Sequence, residues 1–268
     1  MPPLVSAYIP CYNNQETIER AIRSIQAQTV PVDELFVIDD GSTDKTVALI
    51  EAMGVTLLRN EKNLGRGATR ARAIEHAKHE FIFGSDATLE MPKDFLEKAI
   101  PHFEKPQTAA VFGGIREACM ETATQRWTAR HLYKQHLPQS INPKAFMNTC
   151  GLLLRKSYTL EAGNFNPQLK HNEDGELGQK FLDKGYDVVR DPNIYIKSYV
   201  KDTVFQLLRR YYRWNLGADP HMSLKDYFHK ITYCYGALLP QDIAEGDLGA
   251  AGITLLCPHY LFWKQLFN

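Results

Sequence analysis

Over roughly the first 110 residues, short apolar runs alternate with stretches of helical periodicity, and no other feature limits the fold as tightly. Leu4–Ile9 is an apolar run closed by Pro10. After it Asn13 and Glu16 have capping-box spacing, and Ile18, Ala21, Ile22 and Ile25 share one helical face. The unit then repeats. Glu34–Ile38 reads as a buried strand, Asp39-Asp40-Gly41-Ser42-Thr43-Asp44 as an acidic turn, and Val47, Ile50 and Met53 recur at helical spacing. Val55–Leu58 predicts a third strand, Asn60–Gly67 a glycine-containing loop, Ala68–Lys78 a helix and Phe81–Phe83 a fourth strand. Strands alternating with helices predict an α/β fold with a mostly parallel sheet covered by helices on both faces. Ligands of such sheets sit beyond the carboxyl ends of the strands. Here those ends carry Pro10–Asn13, Asp39–Asp44 and Gly84–Thr88.

After Pro92 the pattern continues with a helix near Lys93–Phe103 and a strand near Ala109–Phe112, then becomes less regular through Gln139. A second organised block runs from Asn148 to Pro192, and Val204–Leu216 reads as a basic, aromatic helix. No linker separates independent domains, so one large α/β domain is expected from the 268 residues.

Lys plus Arg and Asp plus Glu number 31 each, which argues against nucleic acid as the main partner, because no global field of one sign exists. The N-terminal residues lack the pattern of a secretory leader. Five cysteines, an odd number without Cys-x-x-Cys spacing, fit reduced and mostly buried thiols, so a cytoplasmic location is expected. No apolar run reaches the length needed to span a bilayer. The closest, Ala250–Phe267, is broken by Pro258 and carries His259 and Lys264; packing onto the domain and peripheral membrane contact both remain open for it.

Taken alone, the acidic turn at Asp39–Asp44 reads either as an Asx-rich helix cap or as a ribose- and base-binding loop. Its neighbours carry a further meaning. Val5-Ser6-Ala7-Tyr8-Ile9-Pro10-Cys11-Tyr12-Asn13 followed by Ile38-Asp39-Asp40-Gly41-Ser42-Thr43-Asp44 resembles the opening of family 2 glycosyltransferases, which have the GT-A fold. The similarity continues through Asn63-Leu64-Gly65-Arg66-Gly67 with Arg70, through Gly84-Ser85-Asp86, and through Glu173-Asp174-Gly175-Glu176-Leu177-Gly178. It implies a GT-A domain over residues 1–217, with a nucleotide-sugar half to about residue 110 and an acceptor half over 111–217, followed by a helical extension over 218–268.

The resemblance also implies roles. Pro10, Tyr12, Asn13, Asp39, Asp40, Arg70 and Ser85 would surround the nucleotide, and Asp86 would hold a divalent cation, Mn²⁺ or Mg²⁺, against the diphosphate. Asp174 would be the general base of an inverting transfer, taking the proton from a hydroxyl acceptor, glycan, lipid-linked or other. Glu173, Arg210 and Trp214 would face the acceptor or diphosphate, with Arg209 and Arg213 on the same basic, aromatic helix, for which a solvated amphipathic face, in water or at a membrane surface, stays equally open. Two departures stand out. The family's Asp-x-Asp motif here reads Gly84-Ser85-Asp86, and the histidine that many relatives supply near Ile194–Val200 is missing, leaving Lys197 or Lys201 as a substitute phosphate-facing cation. These departures keep a second reading open, a glycosyltransferase-like fold retained as a nucleotide-binding or scaffold protein. A nicotinamide dehydrogenase is rejected, because Pro10-Cys11-Tyr12-Asn13-Asn14 has no glycine-rich turn after the first strand.

Overall fold

The structure, a computed structural model, describes residues 3–137, 140–216 and 223–266. The strands are β1 (Val5–Cys11), β2 (Glu34–Asp39), β3 (Thr56–Arg59), β4 (Phe81–Gly84), β5 (Leu89–Glu90), β6 (Thr108–Glu117), β7 (Leu152–Arg155) and β8 (Asp187–Ser198). The α-helices are α1 (Ile18–Gln26), α2 (Thr46–Ala52), α3 (Arg66–His76), α4 (Phe95–Ala99), α5 (Ala123–Trp127), α6 (Lys156–Glu161), α7 (Glu173–Asp183), α8 (Val204–Leu216), α9 (Leu224–Tyr233), α10 (Leu239–Ala244) and α11 (Leu248–Leu266).

Where one domain is expected from the sequence, the chain divides into two compact units, residues 1–116 with 138–198 and residues 117–137 with 199–268. Residues 199–216 therefore group with the helical unit rather than the α/β unit. The boundary expected between residues 217 and 218 lies outside the described residues. Each unit has a hydrophobic core of its own. Because the chain leaves the first unit and returns to it, no linker marks the division.

In the first unit the strand order is β3-β2-β1-β4-β7-β6-β8-β5. β1 pairs in parallel with β2 and β4, and β2 with β3. Beyond β4 the recorded ladders are antiparallel, β4 with β7, β7 with β6 and β5 with β8. The repeating strand–helix pattern thus gives parallel neighbours, whereas the run Leu152-Leu153-Leu154 carries no sign of its direction.

Strand parity assigns the two cores. Val5, Ala7, Ile9 and Cys11 of β1 pack on the face that buries Ile18, Ala21, Ile22 and Ile25 of α1. Tyr8 points to the opposite face, into the core that contains Ala71, Ala73 and Ile74 of α3 and Leu177 and Phe181 of α7. Fully burying each such aliphatic or aromatic side chain contributes roughly 1.5–3 kcal/mol.

In the helical unit, Trp127, Leu207, Tyr211, Leu238, Ile253 and Leu261 belong to one buried cluster. Buried Asp242 ties its helices together. It accepts from Thr254 Oγ1 at 2.5 Å, pairs with His131 Nε2 at 2.7 Å and also holds Arg130, while Trp127 Nε1 donates to Thr254 Oγ1 at 2.7 Å. Within the tail Ala250–Phe267, Ala250, Ile253, Cys257 and Leu261 pack into this core, and Phe267 lies outside the described residues. Among the described residues no helix is long and apolar enough to cross a membrane. Leu224 and Phe228 on α9 and Leu248 and Trp263 on α11 nevertheless stand 62–80% exposed.

Burial works against the Asp242 charge, yet His131, Thr254 and Arg130 outweigh it and hold the carboxyl below its usual range. A carboxyl lowered on folding stabilises the folded state above its unfolded pKa of about 4, and that contribution is lost as pH falls through the lowered value. Asp242→Ala takes the carboxylate from buried His131, leaves Arg130 only its longer 3.8 Å pair with Asp247, and is expected to cost roughly 3 kcal/mol at neutral pH. Equilibrium denaturation across pH checks this: the gap between wild type and variant should narrow below about pH 4.

Candidate functional site

Because β2, β1 and β4 are parallel neighbours, their carboxyl ends bring the three polar loops to one edge of the sheet. Asp39 ends β2; its carboxylate oxygens accept from Ser42 N at 3.2 and 3.1 Å, and Arg59 Nε approaches to 3.3 Å. The next residues can turn this sharply because Gly41 has φ 80°, and a Cβ there would sit 2.8 Å from the Lys62 backbone. Asn13, at φ 54°, locks the first loop to this turn. Its backbone N–H donates to Ser42 Oγ at 2.8 Å and its Oδ1 accepts from Thr43 N at 2.8 Å. The capping role expected for Asn13 is therefore not adopted: α1 begins at Ile18 without a side-chain cap, since the Asn13 carboxamide is committed to the turn.

Asp40, expected at the nucleotide, is only 7% exposed. Its Oδ1 accepts from Asn60 Nδ2 at 2.8 Å and Leu64 N at 2.9 Å, and its Oδ2 from Gly65 N at 3.0 Å. It clamps the loop over residues 60–65 and so sets the start of α3. Pro10 is half-buried and Tyr12 exposed beside this turn, while Ser85 is buried and donates its backbone N–H to Tyr8 O at 3.1 Å.

Arg70 and Glu173 occupy places that their sequence motifs do not disclose. Both are 2% exposed. The Arg70 guanidinium forks, donating through Nη1 to Glu173 Oε1 and through Nη2 to Asp86 Oδ1, each at 2.6 Å. Burial opposes the Arg70 charge, but Asp86 and Glu173 outweigh it and hold the side chain more firmly protonated than usual. Burial raises the Glu173 carboxyl, with Arg70 offsetting part of that effect. Where Glu173 is expected at the acceptor or diphosphate, it faces inward and is committed to Arg70. Asp174, one residue on, is half-buried; its Oδ1 accepts from Gly175 N at 2.9 Å and Thr149 Oγ1 donates to its Oδ2 at 3.5 Å. The following residue, Cys150, brings its Sγ to 3.7 Å from Asp86 Oδ2. Consecutive residues thus touch the two carboxylates.

Arg210 and Trp214 belong to the helical unit, where Arg210 pairs with Asp202 and Trp214 is exposed. Lys197 pairs with Glu90 at 3.1 Å, and Lys201 lies in the helical unit.

Comparison with known proteins decides the family. The model of Glycosyl transferase family 2 matches residues 6–162. The chain belongs to that family. A second model, Glycosyl transferase family group 2, matches residues 85–266. The chain is 24% identical over 202 residues to the amylovoran biosynthesis glycosyltransferase AmsE of Erwinia amylovora, covering 72% of this chain and 75% of that one. It resembles the mannosyltransferase PcManGT of Pyrobaculum calidifontis, solved with GDP-Man and Mn²⁺, at a TM-score of 0.65 and 18% identity over 100% of this chain and 88% of that one. Against residues 1–349 of Staphylococcus aureus TarS with UDP-GlcNAc, the TM-score is 0.59 at 17% identity, covering 87% and 66%. These likenesses show the GT-A-like fold. The matched stretch spans 40–75% of the length of curated relatives such as these.

Position 84, where the resemblance leads one to expect an acidic partner for Asp86, is sterically restricted. Tyr8 and Gly84 are register partners on adjacent parallel strands, so a side chain at 84 would emerge beside the Tyr8 ring. A Cβ on Gly84 would lie 2.8 Å from the Tyr8 hydroxyl oxygen. Burial pushes that phenol up to about 12, so it stays neutral. No cluster of three or more His, Cys, Asp and Glu able to hold a metal occurs among the described residues. Asp86, a quarter exposed and with Oδ2 3.7 Å from the Cys150 thiol, fits a divalent ion that arrives with a nucleotide diphosphate, because phosphates and water can fill most positions around Mg²⁺. Tyr8, Asn60, Thr149 and Cys150 were missed by sequence reasoning. The parity of β1 against Gly84 signals Tyr8; nothing local signals the others.

Two substitutions check this geometry. Asp40→Ala should leave the Leu64 and Gly65 amides without an acceptor, cost about 2–3 kcal/mol and speed their hydrogen exchange. Gly84→Asp, which restores the missing carboxylate, should destabilise by about 2 kcal/mol in denaturant titrations, with Tyr8→Leu in the same chain recovering part of the loss.

Proposed function

We propose that this chain transfers a sugar from a nucleotide diphosphate donor to a hydroxyl acceptor, with inversion, in the synthesis of a polysaccharide or related glycan. The proximity of Asp174 and Asp86, touched by the adjacent residues Thr149 and Cys150 at the edge where the three loops meet, carries this reading. The acceptor oxygen attacks the anomeric carbon as the bond to the diphosphate breaks, and the nucleotide diphosphate departs with that electron pair. Asp174 takes the acceptor proton through Oδ2, while Gly175 N–H holds Oδ1 and so fixes the carboxylate plane. Attack opposite the leaving group inverts the sugar.

Asp39 and Asp40 shape the floor for the nucleotide by holding the turn and the 60–65 loop, leaving Pro10, Tyr12, Asn13 and Ser85 around the base and ribose. Asp86 would hold the divalent cation, which neutralises charge on the departing diphosphate when bound. The mannosyltransferase with GDP-Man and Mn²⁺ supports this donor class and cation. Contact with a lipid surface through α9 and α11 belongs to the same reading, supported by exposed Leu224, Phe228, Leu248 and Trp263. The absence of a carboxylate at Gly84 favours the second reading, a nucleotide-binding protein without turnover.

Purified protein incubated with UDP- and GDP-sugars and hydroxyl acceptors separates these. Transfer with an inverted anomeric centre, reduced at least about 100-fold by Asp174→Asn without loss of nucleotide affinity, is expected. Retained configuration would sink the mechanism; nucleotide binding with neither hydrolysis nor transfer would favour the second reading.

A further inference from the structure

The pair Glu173 and Asp174 opens α7 with two carboxylates that point in different directions. Successive helical residues are rotated by about 100°, so one side chain can face the core while the next faces the site. Asn172, at φ 60°, turns the chain into the helix immediately before them. Glu173 then lies 2% exposed against Arg70, and Asp174 stays half-buried beside Thr149. Arg70 in turn reaches Asp86. One guanidinium therefore links the helix that carries Asp174 to the loop that carries Asp86.

We infer that Glu173 is a positioning residue: through Arg70 it sets the orientation and free charge of Asp86, and with them the affinity of the donor site for a divalent cation. This rests on the donor-site reading above. The physical reason is competition for one cation. Arg70 divides its two donors between Glu173 and Asp86, both at 2.6 Å, so neither carboxylate takes the guanidinium alone. If Glu173 no longer accepts, Asp86 becomes the remaining close counter-charge of a buried guanidinium. It is then drawn toward Arg70 and offers less charge to an arriving metal. The two contacts also engage different terminal nitrogens of Arg70, so the fork resists rotation that a single ion pair would allow.

The test measures free Mn²⁺ by electron paramagnetic resonance as protein is titrated with UDP or GDP present, in wild type, Glu173→Gln and Glu173→Asp. Glu173→Gln removes the charge at constant length. Glu173→Asp keeps the charge but withdraws it by one methylene, beyond a 2.6 Å contact with Arg70. Both variants should weaken Mn²⁺ binding by about tenfold, the scale of one redistributed charge-assisted hydrogen bond. Wild-type affinity in folded Glu173→Asp would overturn the inference, since a through-space effect of charge alone would then account for any loss in Glu173→Gln. Wild-type affinity in both variants would also overturn it, whatever the change in thermal stability. If Glu173→Gln does not fold, Glu173→Asp decides; if neither folds, the pair is structural and the inference fails. Wild-type protein that binds UDP or GDP equally well with and without Mn²⁺ removes the role given to Asp86, and the inference with it. Binding of neither nucleotide under any condition refutes the donor-site reading itself.

Discussion

The candidate site is organised around a buried guanidinium. Taking Arg70 out of water costs on the order of several kcal/mol, and only well-placed partners offset such a cost. Asp86 and Glu173 supply them from two segments distant in the chain, a strand-end loop and the first turn of α7. Arg70 itself stands on α3, whose start is set by the loop that Asp40 clamps. The acidic turn after β2, the loop over residues 60–65, the loop after β4 and the start of α7 therefore converge on one ionic cluster. A shift in any of them would leave a buried charge without its partner.

Packing beside the same cluster also limits what can stand at position 84. Tyr8 and Gly84 are partners in the parallel ladder of β1 and β4, and the ring fills the space into which a side chain at 84 would project. A residue without a side chain at 84 and a buried ring at Tyr8 therefore go together. Asp86 keeps one oxygen on Arg70 and turns the other toward Cys150. What is left suits a cation brought by the substrate better than one held by the protein alone.

Much of the fold was legible. The alternation of apolar runs and amphipathic helices located β1 to β4 and α1 to α3 within a few residues, because periodicity records which face of each element meets the core. The helix expected at Val204–Leu216 is α8. The antiparallel strand β7 and the long strand β8 were not recognised, since an apolar run states burial but not direction. The capping box at Asn13 and Glu16 matched a local pattern, and a contact across the sheet edge overrode it. The helical unit was hidden for a related reason. Its core joins Trp127 to Leu207 and Ile253, residues separated by a return of the chain through the α/β unit.

By itself, the sequence determined the order of strands, loops and helices in the N-terminal half, the family, and the polar loops that lie at the strand ends. Those properties depend on residue type and short-range spacing. The tertiary structure alone decided which way each carboxylate points. Asp40 and Glu173 carry the same acidic groups as Asp86 and Asp174, yet the first pair is buried on protein donors and the second lies half-open at the sheet edge. The difference follows from helix rotation, strand parity and the reach of Arg70. These are relations between elements distant in the chain, and no local motif encodes them.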